Sequence, residues 1–290
     1  MVAQLLMYRA HVCCGSARPV GTACLIPLLA LNRPCGVDLT KEGSGEQMID
    51  SLAWAVQTAL KAVRCRIVRL PKDRVAGHDF CQDVKLLVGT ESPVCFDVGA
   101  NVGQTIALLR RAFNNPRIYA FEPSRECFMK LQSEGYGPAV LLHNCALGEH
   151  NSFEQLTIYE DHCLSSFFAV DRNQDNPFRN VKVLSKESVE IKTIDSFVHE
   201  NQVKRIDLLK IDTQGYELRV LRGAASTFQK GLIDNVFIEL NFINLYQNQS
   251  SAAAISDFLG QHDLYLVDYY EKRRLKERLA WCTALYSKSP

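Results

Sequence analysis

A chain of 290 residues, 47% hydrophobic and 22% charged, is too ordinary in composition to be disordered or fibrous, and long enough to bury one substantial core plus an appendage. Lys and Arg number 33 against 32 Asp and Glu, which excludes binding a nucleic-acid backbone or an anionic membrane by net charge alone and favours a small or neutral substrate. The 11 cysteines form no CxxC pair and no regular spacing, and several sit in apolar strand-like runs, so they read as buried free thiols of a cytoplasmic protein, not as a disulfide framework or a zinc site.

Residues 1–45 read as an N-terminal extension. Residues 1–37 contain no acid, and the apolar run Thr22 to Leu31 is broken by Pro27, so a targeting leader is the weaker reading. No apolar stretch reaches the roughly 18 residues of a membrane-spanning helix. Residues 46–90 read as a helical cap: apolar residues from Met48 to Val63 recur every three or four positions, Cys65 to Leu70 suggests a short strand, and Phe80 to Leu87 a helix. The apolar face of the 47–63 helix suits the main domain or a second subunit, which leaves a homodimer open.

Residues 91–290 form the third part. Val94 to Val98 is a first strand, Gly103 to Phe113 a helix, Arg117 to Phe121 a strand, Ser124 to Glu134 a helix and Val140 to Leu147 a third strand. Gln155 to Tyr159, Ser165 to Val170 and Val189 to Lys192 alternate without an intervening helix, as an inserted hairpin does. Ile206 to Ile211, Val236 to Leu240 and Leu264 to Tyr269 continue as strands, with helices over Tyr216 to Gln229 and Ala252 to Gly260, and Ala280 to Tyr286 closes as an antiparallel strand. Short apolar runs alternating with helices describe an α/β fold with a mostly parallel sheet. The charged run Glu271 to Arg278 is short and laced with acids, so it reads as a solvated helix or a hairpin tip.

Asp97-Val-Gly-Ala-Asn-Val-Gly103 carries the first chemical signal. Glycines after a buried strand allow a sharp turn and a close ligand approach, and the next helix directs free N–H groups at the ligand. Glu122, at the end of the second strand, is placed to accept both hydroxyl hydrogens of an adenosine ribose. The turn is not GxGxxG; Asp97 and Asn101 suit an ammonium and a sulfonium better than a diphosphate, which ranks S-adenosylmethionine above a nicotinamide cofactor.

The segments FDVGANVGQ, YAFEPS, HNCALG, LLKIDTQGYELRVLRGA and FIELNF, in that order over about Val94 to Asp268, resemble the FkbM family of methyltransferases. The resemblance implies a class I methyltransferase fold, Rossmann-like, with seven strands and helices on both faces. It also implies S-adenosylmethionine as methyl donor and a hydroxyl of a small molecule, sugar or glycan as acceptor. Carried over residue by residue, Asp97, Gly99, Asn101, Gly103 and Gln104 lie around the methionine part, Glu122 at the ribose, and Asn144 to Leu147, Asn144 and Ala146 among them, beside the adenine. Family members more often carry Val-Glu where this chain has Thr213-Gln214, so a carboxylate role at position 214 is lost.

Methyl transfer needs aligned reactants and a group that removes the acceptor's proton. Asp212, at the carboxyl end of a central strand, is one candidate base, with helix capping as its structural alternative. Glu239 is the other, because a carboxylate on an apolar central strand is expensive to bury unless it is paired or at a site edge; Asn241 would share its face. Lys210, Gly215 and Glu217 flank them, Glu217 with a helix-face ion pair to Arg219 or Arg222 as its other reading. Asp212, Glu239 and an Asn would suit magnesium or calcium, but no spacing specifies coordination, and the metal-free reading is preferred. His143 and His162 are the histidines placed nearest the cleft, and Tyr159, Phe167 and Phe168 suit either a pocket wall or core. A catalytically silent methyltransferase-like binding module, motivated by Thr213-Gln214, and a nicotinamide oxidoreductase are the alternatives.

Overall fold

The computed structural model describes Gly77 and residues 79–288; the extension, the 47–63 helix and the Cys65 to Leu70 strand lie outside the described residues. The described residues belong to one compact unit, Asp73–Pro290.

Helix α1 (Phe80–Val88) starts on Asp79, whose carboxylate accepts from the Gln82 N–H, and stops at Gly89 in the left-handed region, the capping pattern that helix ends require. Read from sequence as part of the cap, it shares the core of the sheet: Val84 and Val88 are buried, and the Phe80 ring stacks on Phe237 with centroids 4.0 Å apart. Then come β1 (Val94–Val98), α2 (Gln104–Ala112), β2 (Arg117–Phe121), α3 (Arg125–Ser133), β3 (Val140–His143), β4 (Ala146–Leu147), β5 (Ser152–Tyr159), β6 (Val183–Lys192) and α4 (Ile194–Glu200). They are followed by β7 (Leu208–Ile211), α5 (Glu217–Arg222), α6 (Ala225–Gln229), β8 (Asn235–Asn241), α7 (Ala252–Gly260), β9 (Leu264–Leu275) and β10 (Arg278–Lys288).

Seven strands form the main sheet in the order β3-β2-β1-β7-β8-β10-β9, with β10 antiparallel to both neighbours and the other pairings parallel. Alternate residues of β1 feed opposite faces, Phe96 and Val98 one core and Cys95 the other, as the two-residue strand period requires. This is the α/β, class I methyltransferase architecture. The chain runs outward from β1 through β2 to β3, returns, and runs the other way through β7 and β8. A crevice therefore opens at the carboxyl ends of β1 and β7, where such sheets hold ligands.

Helix α4 has no counterpart in the sequence reading, and three further elements differ from it. The strand expected over Val140 to Leu147 is two strands, β3 in the main sheet and β4 in a second sheet of order β4-β6-β5; Asn144 breaks it by donating its amide to the carbonyls of Glu122 and Pro123 at 2.8 and 3.2 Å. Ser165 to Val170 is not a strand but a loop with isolated bridges from Thr157 to Ser166 and from Val170 to Tyr246. The helix expected over Tyr216 to Gln229 is divided at Gly223, where a Cβ would lie 1.9 Å from the Gly148 carbonyl oxygen. The Glu271 to Arg278 run is the tip of the β9–β10 hairpin. The six cysteines among the described residues are free thiols, and no helix among them is long and apolar enough to cross a membrane.

Because the obstacle at Gly223 is backbone, it cannot rotate away. Gly223→Ala is expected to lower stability by about 1–3 kcal/mol in urea denaturation. Gly260→Ala, at a helical position with nothing within 4 Å of the added carbon, is expected to hold or gain stability, by up to about 1 kcal/mol.

Candidate functional site

The site is built where β1 meets β7. Asp97 and Lys210 are register partners on these strands, and the Lys210 ammonium lies 3.0 Å from an Asp97 oxygen with the two side chains 8% and 0% exposed. Lys210 also donates to the Gly99 carbonyl at 2.8 Å. Burial pushes the Asp97 carboxyl upward against the pull of Lys210. Burial would depress the Lys210 ammonium, yet the neighbouring Asp97 and Asp212 hold it above its ordinary value. At Gly99, with φ of 80°, a Cβ would stand 1.9 Å from the Asp212 carbonyl oxygen, so the turn after β1 and the end of β7 touch through backbone, which only glycine permits.

Glu122 is fixed by the same turn. Its two oxygens accept from the N–H groups of Asn101 at 2.7 Å and Ser124 at 2.8 Å, and Asn101 reaches this position with φ of 50°. Burial nevertheless pushes its carboxyl up to about 7. Each oxygen retains capacity to accept a further hydrogen bond.

Past β7 lies a second group of acids. Asp212 accepts from the Gln214 amide at 2.6 Å, and the same amide nitrogen lies 3.4 Å from Glu239. Asn241 shares the Glu239 face, its amide 3.4 Å from the carboxylate. Burial, with Asp212 and Glu217 nearby, raises the Glu239 carboxyl well above the ordinary range. Glu217 does not pair with an arginine as its helix spacing suggested. Fully buried, it accepts from the N–H groups of Thr213 and Gly215 and the Thr213 hydroxyl, tying the turn between β7 and α5. Arg219 instead lies over the rings of Phe168 and Tyr216, and Arg222 is 3.7 Å from Glu149.

These elements border a cavity of about 400 Å³, the size of small-molecule sites. Of the residues singled out from sequence, Gly99, Asn101, Gln104, Glu122, Ala146, Lys210, Asp212 and Gln214 line it, as do His162 and Phe167. Others stand behind it. Asp97 is sealed beneath the turn by Lys210. Gly103 faces Tyr136, whose hydroxyl would be 2.1 Å from an added Cβ. Asn144 is spent on the Glu122 and Pro123 carbonyls. Glu239 lies one residue further out through Gln214. His143 packs against Phe121 and Phe197, and the Tyr159 hydroxyl accepts from the Val170 N–H, so both serve the core. Gly215, with φ of 99°, shapes the turn.

Sequence reasoning missed the far wall. Ser165 and Ser166 from the loop after β5, and Glu271 and Thr283 from the terminal hairpin, line the cavity, brought there by sheet order and by a bulge at Glu271 with φ of 50°; nothing local in the sequence signals either. It also missed Tyr246, whose hydroxyl is 2.9 Å from the Gln214 amide oxygen. Asp161, His162 and Cys163 have potential ligand atoms within 4.8 Å of one another, all on exposed consecutive residues.

The chain matches the family described as "Methyltransferase FkbM domain" over residues 97–267. It is 30% identical over 175 residues to "Methyltransferase 1" of Beauveria bassiana, covering 56% of this chain and 69% of that protein. It is 23% identical over 207 residues to the "2-O-methyltransferase NoeI" of Sinorhizobium fredii, covering 68% of this chain and 82% of that one. The crystal structure of methyltransferase FkbM from Methylobacillus flagellatus is similar with a TM-score of 0.43 at 19% identity, over 68% of this chain and 44% of that chain.

Burial raises Glu217 from its ordinary 4.5 to about 7. Between those values the unfolded chain is ionised while the folded chain keeps the proton. This contribution to stability is therefore full below about pH 4.5, falls as pH rises to about 7, and then stays level. Glu217→Gln, which holds the neutral form at every pH, is expected to lose part of that decline when urea midpoints are compared at about pH 5 and about pH 8.

Proposed function

The chain belongs to the FkbM methyltransferase family, and we propose that it transfers a methyl group from S-adenosylmethionine to a hydroxyl oxygen of a small molecule, sugar or glycan. The observation that carries the reading is Glu122. Anchored by two backbone N–H groups at the end of β2, it faces a cavity whose other wall holds Asp212. The glycine turn at Gly99 and the polar edge of Asn101 and Gln104 fit the amino-acid part, and Ala146 and Leu147 offer an apolar wall to an adenine.

When bound, the donor supplies an electrophilic methyl carbon on a sulfonium. The chain's own work is to hold an acceptor oxygen in line with that carbon, to exclude water, and to take the acceptor's proton. Asp212 is a carboxylate on the cavity wall and is assigned the proton; Ser165, whose buried hydroxyl has no partner among the described residues, is placed to orient the acceptor. An oxygen acceptor is supported by the name of the 2-O-methyltransferase relative, and a small or neutral substrate by the balanced charge of the chain.

Calorimetry with S-adenosylhomocysteine tests the donor half. The wild type is expected to bind, and Glu122→Ala to bind about 10- to 100-fold more weakly, the loss of charge-assisted hydrogen bonds to two hydroxyls. In cell extract given methyl-labelled donor, Asp212→Asn is expected to slow labelling by about 10²- to 10⁴-fold. Binding without labelling of any acceptor would support instead the silent binding module that Gln214 motivates. No binding at all would end the reading.

A further inference from the structure

Gln214 is the residue on which the acid cluster converges. It sits in the turn after β7 with φ of 54°, a conformation that few residues other than Gly and Asn adopt. Its main-chain carbonyl accepts from the Ser166 hydroxyl at 2.7 Å. Its amide nitrogen lies between Asp212 and Glu239 at 2.6 and 3.4 Å. Its amide oxygen faces the Tyr246 hydroxyl at 2.9 Å, which is also 3.1 Å from the Leu164 carbonyl. This orientation aims the amide N–H groups at the two acids and its oxygen at a hydroxyl.

We propose that Gln214 is the positioning residue of the proton-transfer step, its amide joining Asp212 and Glu239 into one acid–carboxylate pair that holds a single proton before the acceptor arrives. This rests on the methyl-transfer reading. In the step, the acceptor oxygen bonds to the methyl carbon, the carbon–sulfur bond breaks with its electron pair going to sulfur, and the acceptor's proton passes to Asp212. Glu239, further from the cavity, carries the resident proton.

The surroundings support that division. Facing the pair are Lys210 on β7, Glu217 in the turn, Asn241 on β8, Tyr246 beyond it, and Thr283 on β10, which stands opposite Glu239 and donates to Glu271 of β9 at 3.1 Å. The Lys210 ammonium is held by Asp97 and the Gly99 carbonyl. Two ionised carboxylates beside a buried Glu217 would repel. A neutral amide with two N–H donors relieves this without adding charge, whereas a hydrocarbon side chain would leave the oxygens facing each other and a carboxylate would add a third acid. Tyr246 is itself pushed well upward by burial and by Glu239, so it keeps its one hydroxyl hydrogen, within reach of the Gln214 amide oxygen and the Leu164 carbonyl.

Infrared difference titration of the full chain, without acceptor, tests this directly, with Glu239→Gln identifying the buried carboxylic-acid band. In the wild type the band is expected at neutral pH. Gln214→Leu is expected to raise its midpoint by about one pH unit or more, the equivalent of one lost charge-assisted hydrogen bond, and Tyr246→Phe to move it in the same direction by less. In labelled extract the acidic limb of the rate profile is expected to move upward with it, with S-adenosylhomocysteine affinity held within about twofold. An unchanged midpoint in both variants, or donor affinity falling in step with rate, overturns the proposal. A wild type that labels nothing strikes the methyl-transfer reading, while the infrared midpoints still decide whether Gln214 couples the two acids.

Discussion

The buried ion pair between Asp97 and Lys210 is the constraint on which the site depends. Both groups have left water at the centre of the sheet, a position that is favourable only while each has the other. Their cross-strand register fixes β1 against β7, and the extra bond from Lys210 to the Gly99 carbonyl fixes the turn after β1. From that point the Gly99 backbone can rest on the Asp212 carbonyl, the Asn101 N–H can reach Glu122, and Asp212 is left at the cavity edge. An unpaired charge at either position would disturb all three arrangements together.

The result is a cavity with two chemically different ends. At the β2 end a single carboxylate, saturated on one side by backbone N–H groups, is rigid and suited to recognition. At the β7–β8 end lie three acids, Asp212, Glu217 and Glu239, where burial, with Asp212 nearby, raises the proton affinity of Glu217 and Glu239. They have distinct duties: Glu217 is consumed by the turn it ties, Glu239 is held back behind Gln214, and Asp212 alone of the three lines the cavity. The separation of proton affinities within a cluster is how a site distinguishes a resident acid from a working base.

Much of this was legible in the sequence, for reasons that are local. Strand β1 is an apolar run with Asp97 next to its end and β2 one followed directly by Glu122, so their bounds and the placing of Glu122 follow from pattern alone, and the glycines of the first turn announce a close approach. Asp97 and Gly103 belong to the motif that the resemblance places around the ligand; in space Asp97 also faces the lysine of the neighbouring strand and Gly103 a tyrosine, partners that no spacing within the motif encodes. The split of the 140–147 run and of the 216–229 helix had the same origin, in contacts made by Asn144 and Gly223 with distant backbone. The hairpin residues Glu271 and Thr283 reach the cavity because β10 inserts between β8 and β9, a matter of sheet order and not of composition.

The central claim, that this cavity holds a methyl donor with its ribose on Glu122 and its sulfur toward Asp212, is tested most directly by a crystal structure of the protein with S-adenosylhomocysteine. The expected result is ribose hydroxyls bonded to the Glu122 carboxylate, the amino-acid part along Gly99 to Gln104, and the sulfur facing the Asp212 side of the cavity. The compound lying elsewhere, or with its ribose away from Glu122, would contradict it.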